Sequence, residues 1–312
     1  MAEGKDAIRE SLEEWDRILV VCHKNPDGDA IGSAWGLAHL LRGMGKKARA
    51  FCGDEVPKEY LFLTEKEKED AFEPEKIVTV DVASASLLPD GIDPEKIDLA
   101  IDHHRANSLA AEKKYVDPEA AACGEILTDL FRDRLDLYSA EAFYTAVATD
   151  TGCFRYPNVT DRTFCAALIL YHRAEKGAFA RINKRVFDTK SEKRLRLEAW
   201  AIENVSLSAG GKVAFLNADF AMQRQFCTGA GDLDGLVNVI RQIEGVVLSI
   251  VLKQKEEKLF KASVRAEAGF DASAFCGVFG GGGHLGAAGC SFTTSAADAR
   301  EKLLAEAERR LS

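Results

Sequence analysis

The sequence has no apolar run near the roughly 18 to 20 residues that a membrane-spanning helix requires. It begins with MAEGKDAIRE, which is polar where a signal peptide would be apolar. Its 8 cysteines include no Cys-x-x-Cys pair, which argues against a zinc or thiol-redox motif. We therefore expect a cytoplasmic protein with no membrane partner, whose cysteines are mostly buried and reduced.

The chain also lacks an excess of positive charge, because 41 Lys and Arg residues are outnumbered by 50 Asp and Glu residues. Proteins that bind long duplexes do so largely by neutralising phosphates with Lys and Arg. A net charge of -9 argues against that mode, so any nucleic-acid partner should be short and held locally. Length and composition are those of a globular chain with two domains.

Short apolar runs alternate with helical patterns in the first half of the chain. Strands are predicted at 17–22, 77–80 and 98–101, and a helix at 30–41 follows the first of them. Residues 139–196 are mostly helical in pattern. Repeated alternation indicates an α/β fold with a parallel sheet, whose ligands bind beyond the carboxyl ends of the strands.

The alternation restarts after two glycines at 210 and 211. Strands are predicted at 213–217, 246–252 and 259–264, followed by a terminal helix at 296–311. This pattern predicts a smaller, mixed α/β domain. A charged helix over 191–204 is expected to join the two domains. The predicted limits are 1–189 for the first domain, 190–208 for the helical linker and 209–312 for the second domain.

Acidic and histidine residues cluster where predicted strands or helices end. The clusters are His23, Asp27 and Asp29; Asp81; Asp102, His103 and His104; and Asp150. Each cluster alone could be a turn or a helix cap. Together they would converge on one edge of a parallel sheet, and histidine with aspartate is a good ligand set for divalent cations. A metal site is therefore favoured over a set of unrelated turns.

The same residues carry a resemblance to a known family. HKNPDGDAIGS, VDVAS, IDHHRAN and ATDTGCF resemble, in this order, the motifs of the RecJ-like DHH phosphoesterase superfamily. GGGGHLGAAG resembles the glycine-rich motif of the DHH-associated second domain. The two-domain layout is similar to the nano-RNase branch. The resemblance implies a hydrolase that cleaves short oligonucleotides to mononucleotides and dephosphorylates 3′,5′-bisphosphonucleotides.

The resemblance also implies a paired-metal site, most readily for two Mn²⁺ ions. One ion would be held by His23, Asp27 and Asp81, and the other by Asp29, Asp81, His103 and Asp150. Such ions lie roughly 3.5 to 4 Å apart and lower the pKa of a shared water. Cobalt and zinc suit the same ligands, so residue chemistry alone does not choose the metal.

Two neighbours of the predicted ligands have roles other than binding metal. Asp102 is expected to orient a metal ligand without binding the metal itself. His104 would either contact the substrate phosphate or supply a proton to the leaving oxygen. Together with Asp81 and His103 they form the predicted catalytic set, and Asn107 and Arg155 are further candidates near it.

Substrate contacts are expected in the second domain. Gly281, Gly282 and Gly283 precede His284, and such a glycine run exposes backbone N–H groups to an anion. A flexible linker is the alternative, although the apolar residues that follow favour close packing. The resemblance implies that Arg265 and His284 hold the terminal phosphate in a cleft between the domains. Arg265 could instead be a strand residue that faces solvent.

Several functions remain open at this point. A phosphodiesterase for linear or cyclic dinucleotides would use the same metal motifs, and so would a RecJ-like single-strand exonuclease. A non-catalytic nucleotide sensor would be expected to lose one of the ligands. A structural metal site would be closed by protein ligands, unlike the split carboxylate pattern seen here. RNA or DNA preference, polarity of attack and a homodimer are likewise open.

Overall fold

The computed structural model describes residues 4–65, 71–229 and 231–311. It divides the chain into two compact units, Met1–Thr189 and Lys190–Ser312. Each unit has a sheet and a hydrophobic core of its own. In the described ranges, no helix combines the length and apolar character needed to cross a bilayer.

The first unit alternates strands and helices, as predicted. Its elements are α1 (Lys5–Glu14), β1 (Ile18–Val21), α2 (Gly28–Gly43), β2 (Ala48–Phe51), α3 (Leu61–Thr64), β3 (Lys76–Val80), β4 (Leu99–Asp102), β5 (Lys113–Val116), α4 (Cys123–Leu130), α5 (Leu137–Asp150), α6 (Asp161–Arg173) and α7 (Ala178–Asn183). Short 3-10 helices and the π-helical turn Lys184–Asp188 complete the unit.

The sheet of the first unit has five parallel strands in the order β2-β1-β3-β4-β5. The direction of strand succession therefore reverses between β1 and β3. At such a reversal the connections leave in opposite directions, and a crevice opens beyond the carboxyl ends of the two strands. The predicted parallel α/β domain is confirmed, and its crevice lies where His23 and Asp81 follow their strands.

The inner strands β1 and β4 are buried on both faces, which suits their apolar composition. Ile18 and Val20 belong to the core formed with the helices α2, α4 and α5. Leu19 and Val21 face the other side, where they join Leu88 and other apolar residues of the segments after β3 and β4. Burial on both faces fixes the position at which each strand ends along the sheet. It therefore also fixes the position of the polar residues that follow the strand.

The helices α2 and α5 pack unusually closely. A Cβ placed on Gly32 of α2 would lie only 2.4 Å from the carbonyl oxygen of Ala142 in α5. Only glycine allows this approach. The contact matters for the cluster, because Asp29 lies in the first turn of α2 and Asp150 is the last residue of α5.

The second unit contains a mixed sheet with helices on both faces. Its elements are α8 (Glu192–Asn204), β6 (Ser206–Ser208), β7 (Val213–Ala218), α9 (Phe220–Gln225), α10 (Leu236–Ile240), β8 (Leu248–Glu256), β9 (Leu259–Ala266), α11 (Ala272–Gly277), β10 (Gly282–His284), β11 (Ala287–Thr293) and α12 (Ala296–Leu311). The strand order is β10-β11-β9-β8-β7-β6, with β7 and β8 parallel and the other pairs antiparallel. The predicted mixed α/β domain is confirmed.

The helix α8, which the sequence predicts as a connection, packs into the second unit. Leu197 and Ala201 of α8 are buried against α10 and one face of the sheet. The opposite face is covered by α11 and α12. The domain limits, with 190–208 as a linker, stay a prediction.

Candidate metal and phosphoester site

The first strand leads to a histidine and an aspartate that face a common space. Nδ1 of His23 lies 2.9 Å from the carbonyl oxygen of Lys24. Its Nε2 therefore faces Asp27 and Asp81, with carboxylate oxygens at 3.7 and 3.5 Å. Asp27 also caps α2 by accepting a hydrogen bond from the Ala30 N–H. An imidazole held by a carbonyl at one nitrogen and free at the other is typical of a metal ligand.

Asp29 is completely buried and held by the start of another helix. Its Oδ2 accepts a 2.6 Å hydrogen bond from the Cys123 N–H, and its Oδ1 accepts one of 3.0 Å from the Gly124 N–H. Both N–H groups belong to the first turn of α4, where helix geometry favours negative charge. Asp29 Oδ2 is also 3.6 Å from Nε2 of His103, so the carboxylate and the imidazole point toward the same space.

Asp81 lies at the centre of the cluster. It follows β3 directly, is 2% exposed and has a φ of 58°. The left-handed conformation costs a non-glycine residue roughly 1–2 kcal/mol, so it is maintained by its surroundings. Oδ2 of Asp81 lies 3.5 Å from Nε2 of His23, and Oδ1 lies 3.5 Å from Nε2 of His103.

Two atoms of this centre are buried without a hydrogen-bond partner in the described part of the chain: Oδ1 of Asp81 and Nε2 of His103. An unsatisfied buried polar atom costs about 1–3 kcal/mol, and native proteins rarely leave one unexplained. Here the two atoms face each other across 3.5 Å. A shared cation that both atoms ligate would satisfy them together.

Asp102, the last residue of β4, orients its neighbours. Its Oδ1 accepts hydrogen bonds from the backbone N–H groups of His103 and His104 at 2.8 and 3.2 Å, and from Nδ1 of His104 at 2.8 Å. The side-chain amide of Asn107 donates to its Oδ2. Asp102 is within 4.8 Å of the cluster, but its oxygens are already engaged, which fits the expected orienting role.

His103 and Asp150 complete the other side of the cluster. Nδ1 of His103 lies 3.3 Å from the carbonyl oxygen of Ala120, which leaves Nε2 facing the cluster. This Nε2 is 3.3 Å from Oδ2 of Asp150. The side chains of Asp27 and Asp150 are 54% and 28% exposed, whereas that of Asp29 is buried, so the cluster opens toward solvent beside Asp27 and Asp150.

The electrostatics of the cluster show an excess of confined negative charge. Burial, followed by the charge of Asp81, raises the pKa of Asp150 to about 7. Burial and the charges of Asp81 and Asp150 also raise the pKa of Asp29 well above its usual range. Burial lowers the pKa of His103, but the nearby carboxylates outweigh it and raise this pKa to about 10. Carboxylates crowded in this way are stabilised by a cation, whose binding would release protons.

The predicted ligands fall into two spatial groups, and the ligand atoms within each group lie within 4.8 Å of one another. The groups are His23, Asp27 and Asp81, and Asp29, His103 and Asp150. Asp81 lies between the two groups, with Oδ2 near His23 of the first and Oδ1 near His103 of the second. The structure thus brings all of the predicted ligands together, and this set of imidazole and carboxylate donors fits paired divalent cations. Their individual roles as ligands stay a prediction.

In the second unit, the predicted phosphate contacts share one face of the sheet. Arg265 of β9 lies opposite Ala287 of β11, which lies opposite His284 of β10. Residues directly opposite on antiparallel strands project from the same face. The guanidinium of Arg265 donates to the Val264 carbonyl, and it forms no ion pair among the described residues. Burial and the charge of Arg241 lower its pKa, so an anion there would be stabilised.

The glycine run forms an edge strand that turns back into β11. A Cβ on Gly281 or Gly283 would lie 2.2 or 2.4 Å from a backbone oxygen of β11, so both positions need glycine for close packing. Gly282 has open space around it. An edge strand presents N–H groups outward. Phosphate binding by these groups stays a prediction.

Sequence reasoning missed the backbone groups that position the cluster. The carbonyl of Ala120 and the N–H groups at the start of α4 contact His103 and Asp29, but backbone atoms have no residue-type signature. Asn107 was expected only to lie nearby, yet it fixes Asp102. Arg155, the other further candidate, donates to the carbonyl of Gly152 in its own loop.

Comparisons with known families match the two units separately. The DHH family, N-terminal domain, matches residues 17–149, and the DHHA1 domain matches residues 210–312. The chain is 32% identical over 289 residues to the bifunctional oligoribonuclease and PAP phosphatase NrnA of Thermus thermophilus, covering 88% of this chain and 83% of the relative. It is 25% identical over 316 residues to the protein of the same name in Bacillus subtilis, covering 97% of each.

A solved structure shares the fold along nearly the whole chain. It is an exopolyphosphatase-related protein from Bacteroides fragilis, with a TM-score of 0.87 and 24% sequence identity. The alignment covers 98% of this chain and 96% of that protein. At this level of identity the likeness speaks for the fold alone.

Proposed function

Because this chain belongs to the DHH family and carries a DHHA1 domain, we propose that it hydrolyses short oligoribonucleotides to mononucleotides and removes a phosphate from 3′,5′-bisphosphonucleotides. The names of its relatives support both activities, since they are bifunctional oligoribonucleases and PAP phosphatases. The net charge of -9 supports the restriction to short substrates.

One observation carries the proposal. Asp81 Oδ1 and His103 Nε2 are buried, form no hydrogen bond with any described residue and lie 3.5 Å apart, within a group of acidic and histidine side chains at the crevice of a parallel sheet. A solvated turn or a helix cap would not leave such atoms without partners. A closed structural site would not open to solvent beside Asp150. An open, cation-binding site of a hydrolase accounts for both features.

We assign two divalent cations to this site, most readily Mn²⁺. The first would be held by His23, Asp27 and Asp81, and the second by Asp29, Asp81, His103 and Asp150. Such cations supply charge neutralisation at the phosphoryl group and a nucleophile at neutral pH. The protein's part is to hold Asp29 through α4 and the two histidines through Asp102, so that little reorganisation is needed during reaction.

We propose His104 as the proton donor to the leaving oxygen. Its Nδ1 donates to Asp102 at 2.8 Å, which leaves Nε2 for the substrate, and its side chain is 47% exposed. The hydrogen bond with Asp102 raises the pKa of His104, so more of it is protonated at neutral pH. A histidine oriented by a buried carboxylate is a common general acid.

The assignment of Asp81 is tested by Asp81→Asn, with Asp90→Asn as control. Asp90 is exposed in the segment that follows β3. Asp81→Asn should lower manganese-dependent turnover of an RNA dinucleotide by at least about 100-fold while circular dichroism stays that of a folded protein. The control should match the wild type. Retained activity in Asp81→Asn would remove the central ligand from the proposal.

The substrate is tested by comparing initial rates with Mn²⁺ on an RNA dinucleotide, a long RNA strand, 3′,5′-bisphosphoadenosine, cyclic di-adenylate and pyrophosphate, with EDTA as control. We expect metal-dependent turnover of the dinucleotide and the bisphosphonucleotide. Preference for the long strand would indicate a single-strand exonuclease. Preference for the cyclic compound would indicate a cyclic dinucleotide phosphodiesterase, and no turnover at all would favour a sensor.

The role of His104 is tested with leaving groups of different basicity. His104→Gln should slow cleavage of the dinucleotide strongly, because the leaving hydroxyl needs a proton. It should slow cleavage of a nucleoside p-nitrophenyl phosphate much less, because p-nitrophenolate leaves without one. Equal losses on both substrates would assign His104 to phosphate binding instead.

Recognition of the terminal phosphate is assigned to Arg265 and His284, with Gly281, Gly282 and Gly283 supplying backbone donors. Arg265 and His284 share one face of the sheet, and Arg265 forms no ion pair with the residues that the structure describes, which supports this assignment. In this proposal residues 1–189 carry out the chemistry, residues 190–208 link the domains, and residues 209–312 bind the terminal phosphate of the substrate.

A further inference from the structure

The loop that follows Asp150 has an unusual backbone. Gly152, Cys153 and Phe154 adopt successive φ values of 55°, 58° and 63°. A left-handed residue other than glycine costs roughly 1–2 kcal/mol, and this loop contains two in a row. Such conformations persist only where the surroundings hold them.

Hydrogen bonds hold this loop to the end of α5. The N–H groups of Arg155 and Tyr156 donate to the carbonyl of Thr151 at 2.9 and 3.0 Å. The side-chain amide of Asn158 donates to the carbonyl of Asp150 at 3.1 Å. The position of Tyr156 is therefore fixed relative to Asp150, one of the proposed metal ligands.

The ring of Tyr156 lies with one face on the backbone of Gly152. A Cβ on Gly152 would be 2.4 Å from both Cε1 and Cζ and 2.8 Å from Cε2 of Tyr156. Near-equal distances to three ring carbons, with the hydroxyl oxygen farther away, place Gly152 against the face of the ring. An added Cβ at this position would overlap the ring and force it to move.

The side chain of Tyr156 is also partly exposed to solvent. Tyr156 is 52% exposed, and no aromatic ring in the described ranges stacks on it. The residue thus has one ring face against the backbone of Gly152, and hydrogen bonds tie its loop to the end of α5, which carries Asp150. A core aromatic would be buried, whereas this ring keeps part of its surface in solvent.

We propose that Tyr156 is a substrate-binding residue that stacks on the nucleobase of the nucleotide whose phosphate lies at the metal cluster. This inference rests on the proposed function, because it assumes a nucleotide substrate. Every base has a π-face, so stacking on a supported aromatic ring binds nucleotides with little preference among sequences. It would let the enzyme accept short oligonucleotides of any sequence and the bisphosphonucleotide at one site.

The test compares binding of AMP and ribose 5-phosphate by isothermal titration calorimetry in the presence of Mn²⁺. The two probes share the sugar and the phosphate, and only AMP has a base. We expect the wild type to bind AMP more tightly than ribose 5-phosphate. Tyr156→Ala should weaken AMP binding by about 5- to 150-fold and leave ribose 5-phosphate binding unchanged.

Three further variants separate stacking from loss of structure. Tyr156→Phe keeps the ring and should bind AMP like the wild type. Tyr156→Leu keeps bulk without a π-face and should behave like the alanine variant. Tyr171→Ala removes a tyrosine that is 60% exposed on α6 and should change neither probe.

Equal weakening of both probes by Tyr156→Ala, or unchanged AMP binding, would overturn the inference. Failure of the proposed function gives a different result. Wild-type protein that turns over no phosphoester but still shows the base-dependent loss in Tyr156→Ala would refute hydrolysis and retain the stacking role. If the wild type hydrolyses dinucleotides but Tyr156→Ala binds AMP as tightly as the wild type, the stacking role is refuted and hydrolysis is retained.

Discussion

Replacing Gly32 with alanine tests whether the close packing of α2 against α5 sets the geometry of the metal cluster. The new Cβ would lie 2.4 Å from the carbonyl oxygen of Ala142 and 3.0 Å from the backbone nitrogen of Ala146. Real contacts of this kind are essentially never shorter than 3.0 Å, so the helices must separate by about 0.6 Å, the difference between 3.0 and 2.4 Å. Backbone atoms on both helices leave no flexible side chain to absorb the change.

Two effects should follow, one on stability and one on the cluster. Overpacking of this kind costs about 1–3 kcal/mol, which for a unit of this size lowers Tm by about 2–12 °C. Separation of the helices also moves Asp29 away from Asp150, because each helix carries one of them. Displacing a ligand by a fraction of an ångström should reduce apparent manganese affinity or turnover by about 10- to 100-fold.

The matched control is Gly43→Ala at the end of the same helix, where nothing lies within 4 Å of an added Cβ. That variant should be neutral or more stable by up to about 1 kcal/mol, because alanine restricts the unfolded chain. Thermal unfolding is followed by circular dichroism in EDTA, and turnover is measured across a manganese titration. The reasoning is refuted if Gly32→Ala unfolds at the wild-type temperature and needs no more manganese than Gly43→Ala.

Three other predictions concern the cluster and the substrate contacts. Manganese at about 100 times its dissociation constant should stabilise the wild type by about 2.7 kcal/mol, as seen by differential scanning fluorimetry, and Asp81→Asn should lose most of this gain; an equal gain in both proteins would contradict the role of Asp81. Asn107→Ala leaves one buried oxygen of Asp102 without its donor, so it should reduce turnover by about 10- to 100-fold and lower Tm by about 2–12 °C, whereas Asn204→Ala, at the exposed end of α8, should have no effect. Arg265→Ala should raise KM for 3′,5′-bisphosphoadenosine by about 10-fold or more while kcat changes little, with the exposed Arg196→Ala as control. A fall in kcat at constant KM would instead place Arg265 in the chemical step.

The inner strands and the polar residues at their ends could be predicted from the sequence. Strands β1, β3 and β4 are buried on both faces or nearly so, and the resulting apolar runs end visibly at Cys22, Asp81 and Asp102. Because parallel strands end at one edge of a sheet, convergence of the acidic clusters followed from the order of elements alone.

The edge strands of both sheets were not predicted. In the first unit they are β2 and β5, with the sequences ARAF and KKYV, and in the second β6 and β10, with SLS and GGH. An edge strand buries less apolar surface and often carries charged or small residues. Its pattern then resembles a loop, and only pairing with a neighbour reveals it.

The contacts that support the cluster could not be predicted from the sequence for a different reason. Asp29 is held by N–H groups of α4 that lie 94 and 95 residues away. The contact depends on where the chain brings α4, and its donors are backbone groups common to every residue type. The contact between Gly152 and the ring face of Tyr156 is local. It depends, however, on three successive left-handed residues, which the residue types did not predict.

Every carboxylate and imidazole of the metal cluster comes from Met1–Thr189, and the assigned phosphate contacts come from Lys190–Ser312. Each set is supported by a sheet and a core of its own. Mutations that alter contacts with the terminal phosphate can therefore accumulate in one gene segment without disturbing the reactive centre encoded by the other. Such a division allows recombination between gene segments to combine one hydrolytic domain with different recognition domains.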